Sequence, residues 1–282
     1  MNDFTIDDAI KKGNYYLSEK FSNYKNETLW ILQSVLNIDL SNITLNKHKS
    51  IDNKDYELYI SLIKRRQNSE PIQHILNSVI FYGYKIKVNN NVFIPRPETE
   101  LIIDIVKKEI GFSDSILEIG TGTGCISICL ELEQLAKDIL SLDINYHALK
   151  LAKENAKNLK CSKIKFKNEN FLNFSTKDKF NLIISNPPYI SLEEIPKIDY
   201  EVTLYDPMNA LTDYKDGLAF YRQFNDFGKF HLQKNGYMLF EFGLPKQVNQ
   251  LKKIFSKDLY NYKFINDLSS KPRFILLNKK ND

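Results

Sequence analysis

The sequence predicts an α/β protein, with a seven-stranded, mostly parallel sheet carrying helices on both faces. A small helical domain and a β-hairpin linker precede it. Three observations support this fold class. From residue 115 onward, short β-branched runs alternate with stretches of helical periodicity, the pattern of parallel strands joined by helical crossovers. The turn Gly120-Thr121-Gly122-Thr123-Gly124 follows the first of these runs. Residues 1–76 read as helices throughout. At 282 residues the chain has room for one large core and one small accessory core.

Composition narrows the class of protein. Hydrophobic residues at 43% and charged residues at 26% are ordinary for a globular chain, and a net charge of +4 spread along the sequence argues little for a nucleic-acid partner. The densest basic cluster, Lys64-Arg65-Arg66, is expected on a solvated helix face. Met1-Asn2-Asp3-Phe4-Thr5-Ile6-Asp7-Asp8 lacks the basic and apolar regions of a leader, and no window approaches a membrane span, so a cytoplasmic protein is expected. Cys125, Cys129 and Cys161 are odd in number without Cys-x-x-Cys spacing and read as small core residues. His48, His74, His147 and His231 show no ligand spacing, so no metal is expected.

In chain order, Thr5-Ile6-Asp7-Asp8 caps a first helix through Leu17, Asn26-Glu27-Thr28 opens a second that carries Leu29, Trp30, Leu32, Val35 and Leu36, and Lys54 to Gln67 gives a third. This unit is either a packing cap or a docking surface for a macromolecular substrate, and periodicity alone favours the cap slightly. Residues 77–97 form the linker: Val79 to Val88 is β-like, Asn89-Asn90-Asn91 turns, and Val92-Phe93-Ile94 returns. Pro95-Arg96-Pro97 then leads into a helix at 99–110 started by Thr99 or the prolines, and Arg96 is either part of a stiff connector or a partner for an anion. The domain from 98 to 282 supplies strands at 115–119, 138–143, 163–166, 180–185, 236–242, 260–266 and 273–278, with helices to Glu133 and at 146–159, 216–233 and 245–256.

Two turns of that domain carry chemistry. The glycine-rich turn lets backbone approach a ligand and presents amide N–H groups at a helix N-terminus. Cys125-Ile126-Ser127 rules out a phosphate loop ending in Gly-Lys-Ser/Thr, and Cys125 misplaces the third glycine of a dinucleotide fingerprint. Asp143, ending the second strand, offers acceptors to two ribose hydroxyls, a geometry that serves NAD and S-adenosylmethionine alike. Phe171 is placed to stack on an adenine, or is a core phenylalanine.

The second turn, Asn186-Pro187-Pro188-Tyr189, ends the buried strand Phe180–Ser185 at the sheet edge where ligands of such folds bind. Two prolines hold a rigid bend without N–H groups. The exposed groups are acceptors: the amide oxygen of Asn186 and the carbonyls of Asn186, Pro187 and Pro188. They suit a planar –NH2 whose face Tyr189 covers. Alone, the tetrapeptide reads more readily as a structural Pro-Pro turn with a capping Asn.

Glu118-x-Gly120-x-Gly122-x-Gly124 resembles the first motif of the class I S-adenosylmethionine-dependent methyltransferases. With Asp143 and the Asn-Pro-Pro-Tyr corner it takes the order of an amino-methyltransferase. Phe81-Tyr82-Gly83, Ile94-Pro95-Arg96-Pro97-Glu98-Thr99-Glu100, Asp206-Pro207-Met208-Asn209-Ala210-Leu211, Asp216-Gly217-Leu218 and Glu241-Phe242-Gly243 follow in the order of the release-factor glutamine N5-methyltransferase family. That family methylates the Gln of the Gly-Gly-Gln loop of peptide chain release factors, and the resemblance spans essentially the whole chain, its N-terminal domain gripping the release factor. It implies S-adenosylmethionine at Gly120, Thr121, Gly122, Thr123, Gly124, Asp143 and Phe171, with Asn186 touching both ligands. It also implies Asn186 and Pro187 as acceptors for the glutamine amide, with Pro188 beside them and Tyr189 packed over it. The expected enzyme is a monomer, makes S-adenosylhomocysteine, and contacts no nucleic acid or membrane. Departures are Glu169-Asn170 in place of the usual Asp, Asp206 in place of Glu, and Thr212-Asp213-Tyr214 within a glycine-rich stretch. The rival is a nucleic-acid amino-methyltransferase, which should carry a recognition insert or a basic groove; the residues after 190, Glu193, Glu194, Asp199 and Glu201, are acidic and mixed. A catalytically silent binding module on the same fold is the other alternative.

Overall fold

The structure, a computed structural model, describes residues 4–243 and 245–280; Met1-Asn2-Asp3, the first residues of the stretch read above for a leader, lie outside them. The chain divides into two compact units, Met1–Ser78 and Val79–Asp282.

The first unit holds α1 (Ile6–Leu17), α2 (Tyr24–Leu36), α3 (Leu40–Leu45), α4 (Asn53–Gln67) and α5 (Ile72–Leu76). Thr5 caps α1 reciprocally: its hydroxyl accepts from the Asp8 N–H, and the Asp8 carboxylate accepts from the Thr5 N–H. Ile6, Ala9, Leu17, Ile31, Leu32, Tyr59 and Ile63 form the core. The helices α3 and α5 were not foreseen, because six and five residues are too few to show a period. Arg66 corrects the expected solvated face. It is buried, its Nε donates to Glu27 at 2.7 Å, and its guanidinium lies 3.7 Å from the centroid of the Phe21 ring.

The hairpin is β1 (Ser78–Phe81) and β2 (Tyr84–Lys87). It turns at Tyr82-Gly83 and not at Asn89-Asn90-Asn91, so the expected reversal is corrected. Both turn residues have positive φ, 51° and 80°, the twist that a two-residue connection needs. Val92-Phe93-Ile94 forms no strand; Val88 and Val92 are instead buried with Ala148 and Leu151. The single helix expected at 99–110 is wound three ways: a 3-10 turn Pro97–Glu100, α6 (Leu101–Ile105) and a π turn Val106–Ile110. Pro97 begins it and Thr99 gives no cap.

The large sheet comprises β3 (Ser113–Ile119), β4 (Ala136–Asp143), β5 (Ile164–Asn168), β6 (Phe180–Ser185), β7 (Leu232–Glu241), β8 (Tyr260–Asn266) and β9 (Pro272–Lys279). Their spatial order is β5-β4-β3-β6-β7-β9-β8, and β9 alone runs opposite to the other six. Crossovers are made by α7 (Cys125–Leu132), α8 (Tyr146–Asn158), the short α9 (Tyr200–Tyr205) and α10 (Met208–Leu211), then α11 (Ala219–His231) and α12 (Gln247–Ile254). Ile116, Leu182 and Ile184 pack on one face with Ile102, Ile126 and Ile128, while Leu117, Ile119 and Ile183 pack on the other with Phe224, Phe240 and Phe255. Burial of both faces is why these strands read as unbroken apolar runs.

The strand order reverses between β3 and β6, which opens a crevice at their carboxyl ends. Ile119 pairs with Ser185, the last residue of each strand. Gly120 and Asn186 therefore leave the sheet side by side.

Candidate active site

The glycine-rich turn is built by backbone geometry. Gly120, Gly122 and Gly124 have φ of 72°, 54° and 82°, where a side chain is strained. The Leu142 carbonyl accepts from the N–H groups of Gly120 at 2.9 Å and Thr121 at 3.0 Å. No atom lies within 4 Å of where a Cβ on Gly122 would stand, so the turn borders open space.

That space is a cavity of about 300 Å³ lined by Gly120, Thr121, Gly122, Thr123, Asp143, Phe171, Asn186, Pro187, Pro188 and Tyr189. Of the expected site residues only Gly124 is not in its wall. A Cβ there would sit 3.1 Å from the Cβ of Ala152, so this glycine serves the packing of α7 on α8. Asp143 clamps the turn: Oδ2 accepts from the Gly122 N–H and Oδ1 from the Asn145 N–H, each at 2.8 Å, and burial raises its pKa. Each oxygen keeps acceptor capacity towards the cavity. Phe171 is a core residue, 3% exposed, with ring centroids 5.0 Å from Phe224 and 5.3 Å from Phe227, that also reaches the cavity wall. The wall includes two exposed aliphatic groups, Ile144 and Leu172, at 58% and 40% exposure. Sequence reading missed both; Ile144 directly follows Asp143 at the end of β4, and Leu172 directly follows Phe171 in the 3-10 turn after β5.

The Asn-Pro-Pro-Tyr corner is held from outside itself. Asn186 Nδ2 donates to Thr99 Oγ1 at 3.1 Å, and Thr99 donates to Glu241 Oε2 at 2.8 Å. The Tyr189 hydroxyl donates to Glu241 Oε1 at 3.4 Å, and Gln247 Nε2 donates to the Tyr189 carbonyl at 3.0 Å. No donor among the described residues reaches the carbonyls of Asn186, Pro187 or Pro188, or Asn186 Oδ1. Gly243 and Gly217 let other chain segments close on Tyr189: a Cβ at 243 would come 2.6 Å from its ring, and one at 217 would run into its carbonyl. Thr99, expected at a helix start, is thus a buried link of the site, and Glu241 is a site residue that showed in the sequence only as part of Glu-Phe-Gly.

Two carboxyls beneath the site are perturbed by burial. Glu241 is pushed up to about 7, with the Thr99 hydroxyl and Arg273 pulling it back. Glu118 also rises to about 7 despite accepting from Ser127, from Thr121 at 2.6 Å and from Ser141 at 3.1 Å. Arg96 meets its anion within the chain: it pairs with Asp206 at 2.5 Å, and Asp206 Oδ1 accepts from the Ile94 N–H at 3.2 Å. That pair ties the proline-rich segment to a loop whose Pro207, Asn209 and Ala210 line the cavity. Among the described residues no group of three His, Cys, Asp or Glu side chains is arranged as metal ligands, and no helix is long and apolar enough to cross a membrane.

This strand order, with its glycine turn after β3, an acidic end to β4 and an asparagine-proline corner after β6, defines the class I S-adenosylmethionine-dependent methyltransferase fold. Residues 84–202 match the methyltransferase small domain and residues 8–76 match the PrmC N-terminal domain. The chain is 32% identical to a release factor glutamine methyltransferase of Fusobacterium nucleatum, over 96% of this chain and 78% of that one. It is 31% identical to one from Bacillus cereus, over 95% of this chain and 97% of that one. The chain belongs to the release factor glutamine methyltransferase family. It spans about half the length of the bifunctional methyltransferase of Rickettsia bellii, to which it is 33% identical over 89% of its own residues and 50% of that protein. A methyltransferase structure from Pyrococcus furiosus shares the fold, with a TM-score of 0.55 and 18% identity over 71% of this chain and 91% of that one.

Proposed function

We propose that this chain transfers a methyl group from S-adenosylmethionine to the side-chain amide nitrogen of the Gln in the Gly-Gly-Gln loop of peptide chain release factors, and so tunes translation termination. The observation that carries this reading is a rigid corner of acceptors that no donor among the described residues reaches, set in the wall of the same cavity as the glycine turn. The cavity residues fit the cofactor: open space at Gly122, spare acceptor capacity on Asp143 for ribose hydroxyls, and Ile144, Phe171 and Leu172 as apolar surface for adenine. When bound, S-adenosylmethionine supplies an electrophilic methyl on a sulfonium and leaves as S-adenosylhomocysteine.

The chain's own residues do the positioning. An amide nitrogen is a poor nucleophile because its lone pair is delocalised, so orientation carries much of the rate, and on the order of 7–11 kcal/mol is available from it. Asn186 Oδ1 and the Pro187 carbonyl accept the two N–H groups, Pro188 keeps the bend stiff, and Tyr189 covers the face of the amide. The side chain of Asn186 is no base, so the proton shed by the nitrogen leaves to water. No metal enters the reading.

In this reading residues 1–76 dock the release factor, 77–97 link, and 98–282 catalyse. The enzyme acts as a cytoplasmic monomer on protein and not on nucleic acid, as the acidic, mixed residues after 190 favour. The test incubates labelled S-adenosylmethionine with release factor, with release factor whose Gly-Gly-Gln Gln is replaced by Ala, and with DNA or RNA. Label on the intact factor alone is expected; label on nucleic acid or on the Ala variant would overturn the reading.

A further inference from the structure

Thr99 and Glu241 are each 2% exposed, and Glu241 does not line the cavity. Yet the hydrogen bonds of the corner run from Asn186 to Thr99 and from both Thr99 and Tyr189 to this one carboxyl. We propose that Glu241, acting through Thr99, is the positioning residue that keeps the oxygen end of the Asn186 amide turned towards the substrate nitrogen. This rests on the reading of Asn186 as an acceptor for the glutamine amide.

A threonine hydroxyl has one proton to donate. Here it goes to Glu241 Oε2 at 2.8 Å, so towards Asn186 the same oxygen can only accept, and Nδ2 is what faces it at 3.1 Å. Oδ1 is thereby left for a ligand. If position 241 donated a proton instead, the hydroxyl would turn and donate to Oδ1. The amide would then present its NH2 to the substrate NH2, donor against donor. The second carboxylate oxygen takes the Tyr189 hydroxyl at 3.4 Å, so one charge orients both ends of the tetrapeptide.

The groups facing this carboxyl come from four elements. Thr99 and Glu98 lie on the 3-10 turn, Tyr189 on the corner, Arg273 on β9, and Tyr221 on α11, whose hydroxyl donates to the Glu241 backbone carbonyl at 2.7 Å. Burial pushes Glu241 up to about 7, Thr99, Arg273 and Tyr189 pull it down, and Glu98 pushes it further up. The charged form is the one that accepts from Thr99. Turnover therefore rises with pH through the neutral range.

The experiment compares wild type with Thr99→Val, Thr99→Ser and Glu241→Gln. It measures kcat and KM for release factor across neutral pH, S-adenosylhomocysteine binding by calorimetry, thermal melting, and the side-chain NH2 signals of 15N-asparagine-labelled protein. Thr99→Val is expected to lower kcat by about tenfold or more with cofactor affinity and fold retained, as loss of an oriented polar contact does. Thr99→Ser restores most of that loss, and Glu241→Gln loses the neutral pH limb. Equal damage from Ser and Val, or a limb kept in Glu241→Gln, would overturn the proposal. Should wild type methylate no release factor, the functional reading fails separately, and the Asn186 NH2 signals decide: slowed hydrogen exchange in wild type and Thr99→Ser but not in Thr99→Val supports the orientation, and no difference between the three refutes it.

Discussion

Replacing Gly243 with alanine tests how tightly the corner is braced. Gly243 does not have a positive φ, so its backbone accepts alanine and the effect is purely steric. The new Cβ would stand 2.6 Å from Cδ2 and 2.8 Å from Cε2 of Tyr189. Carbon atoms settle about 3.5–4.0 Å apart, so the ring must retreat by roughly 1 Å. It cannot do so without moving its hydroxyl from Glu241, 3.4 Å away, or its carbonyl from Gln247, 3.0 Å away. A displacement of that size at a reacting centre costs on the order of 10²-fold in rate, while overpacking costs about 1–3 kcal/mol of stability. Steady-state methylation of release factor should therefore show kcat falling roughly 10²-fold, in a protein that still melts cooperatively and still binds S-adenosylhomocysteine. A folded Gly243→Ala enzyme with unchanged kcat would show that Tyr189 is free to move and that the bracing is not catalytic.

Asn186→Ala removes the oriented acceptor and should cut turnover on the order of 10²-fold or more, with calorimetry showing cofactor affinity much less affected. Gly13→Ala sets two effects against each other: alanine favours the helix by about 1 kcal/mol, but its Cβ would come 2.8 Å from Thr28 Cγ2 and run into the Tyr59 hydroxyl. The clash should win, with a net loss of about 1–3 kcal/mol in denaturant unfolding. Glu118 has a carboxyl raised by burial from 4.5 to about 7, so the folded state holds its proton more tightly than the unfolded one. Its contribution is therefore complete at low pH and is lost as pH rises from about 4.5 to about 7, at a rate set by about 1.4 kcal/mol per unit of pKa shift. Glu118→Gln should flatten that part of the stability profile; an unchanged slope would place the titration elsewhere.

Most of the sheet was legible because strands buried on both faces are unbroken apolar runs, and β6 falls at Phe180–Ser185 as expected. The ends of strands were less so: β7 begins at Leu232 and not near 236, since Gln233, Lys234 and Asn235 break the apolar pattern while their backbone still belongs to the strand. Tyr82 at positive φ hid the hairpin turn, because tyrosine rarely adopts that conformation. The cavity wall was readable where backbone chemistry demands particular residues, at the glycines and prolines. Thr99, Ile144, Leu172 and Glu241 were not, because nothing in local spacing says that residues 99 and 241 meet. Arg66 misled for a related reason: its partner Glu27 lies 39 residues away.

A corner whose two central residues have no N–H leans on the rest of the chain, and the distances along the chain to its supports are long. Asn186 leans on a residue 87 positions earlier, and Tyr189 on residues 52 and 58 positions later. During synthesis, the acceptor site thus stays unassembled while the glycine turn and the corner have already left the ribosome. The supports arrive only with residues 241 and 247, so a nascent chain that stops short of them holds both motifs in sequence without the hydrogen bonds that brace Tyr189.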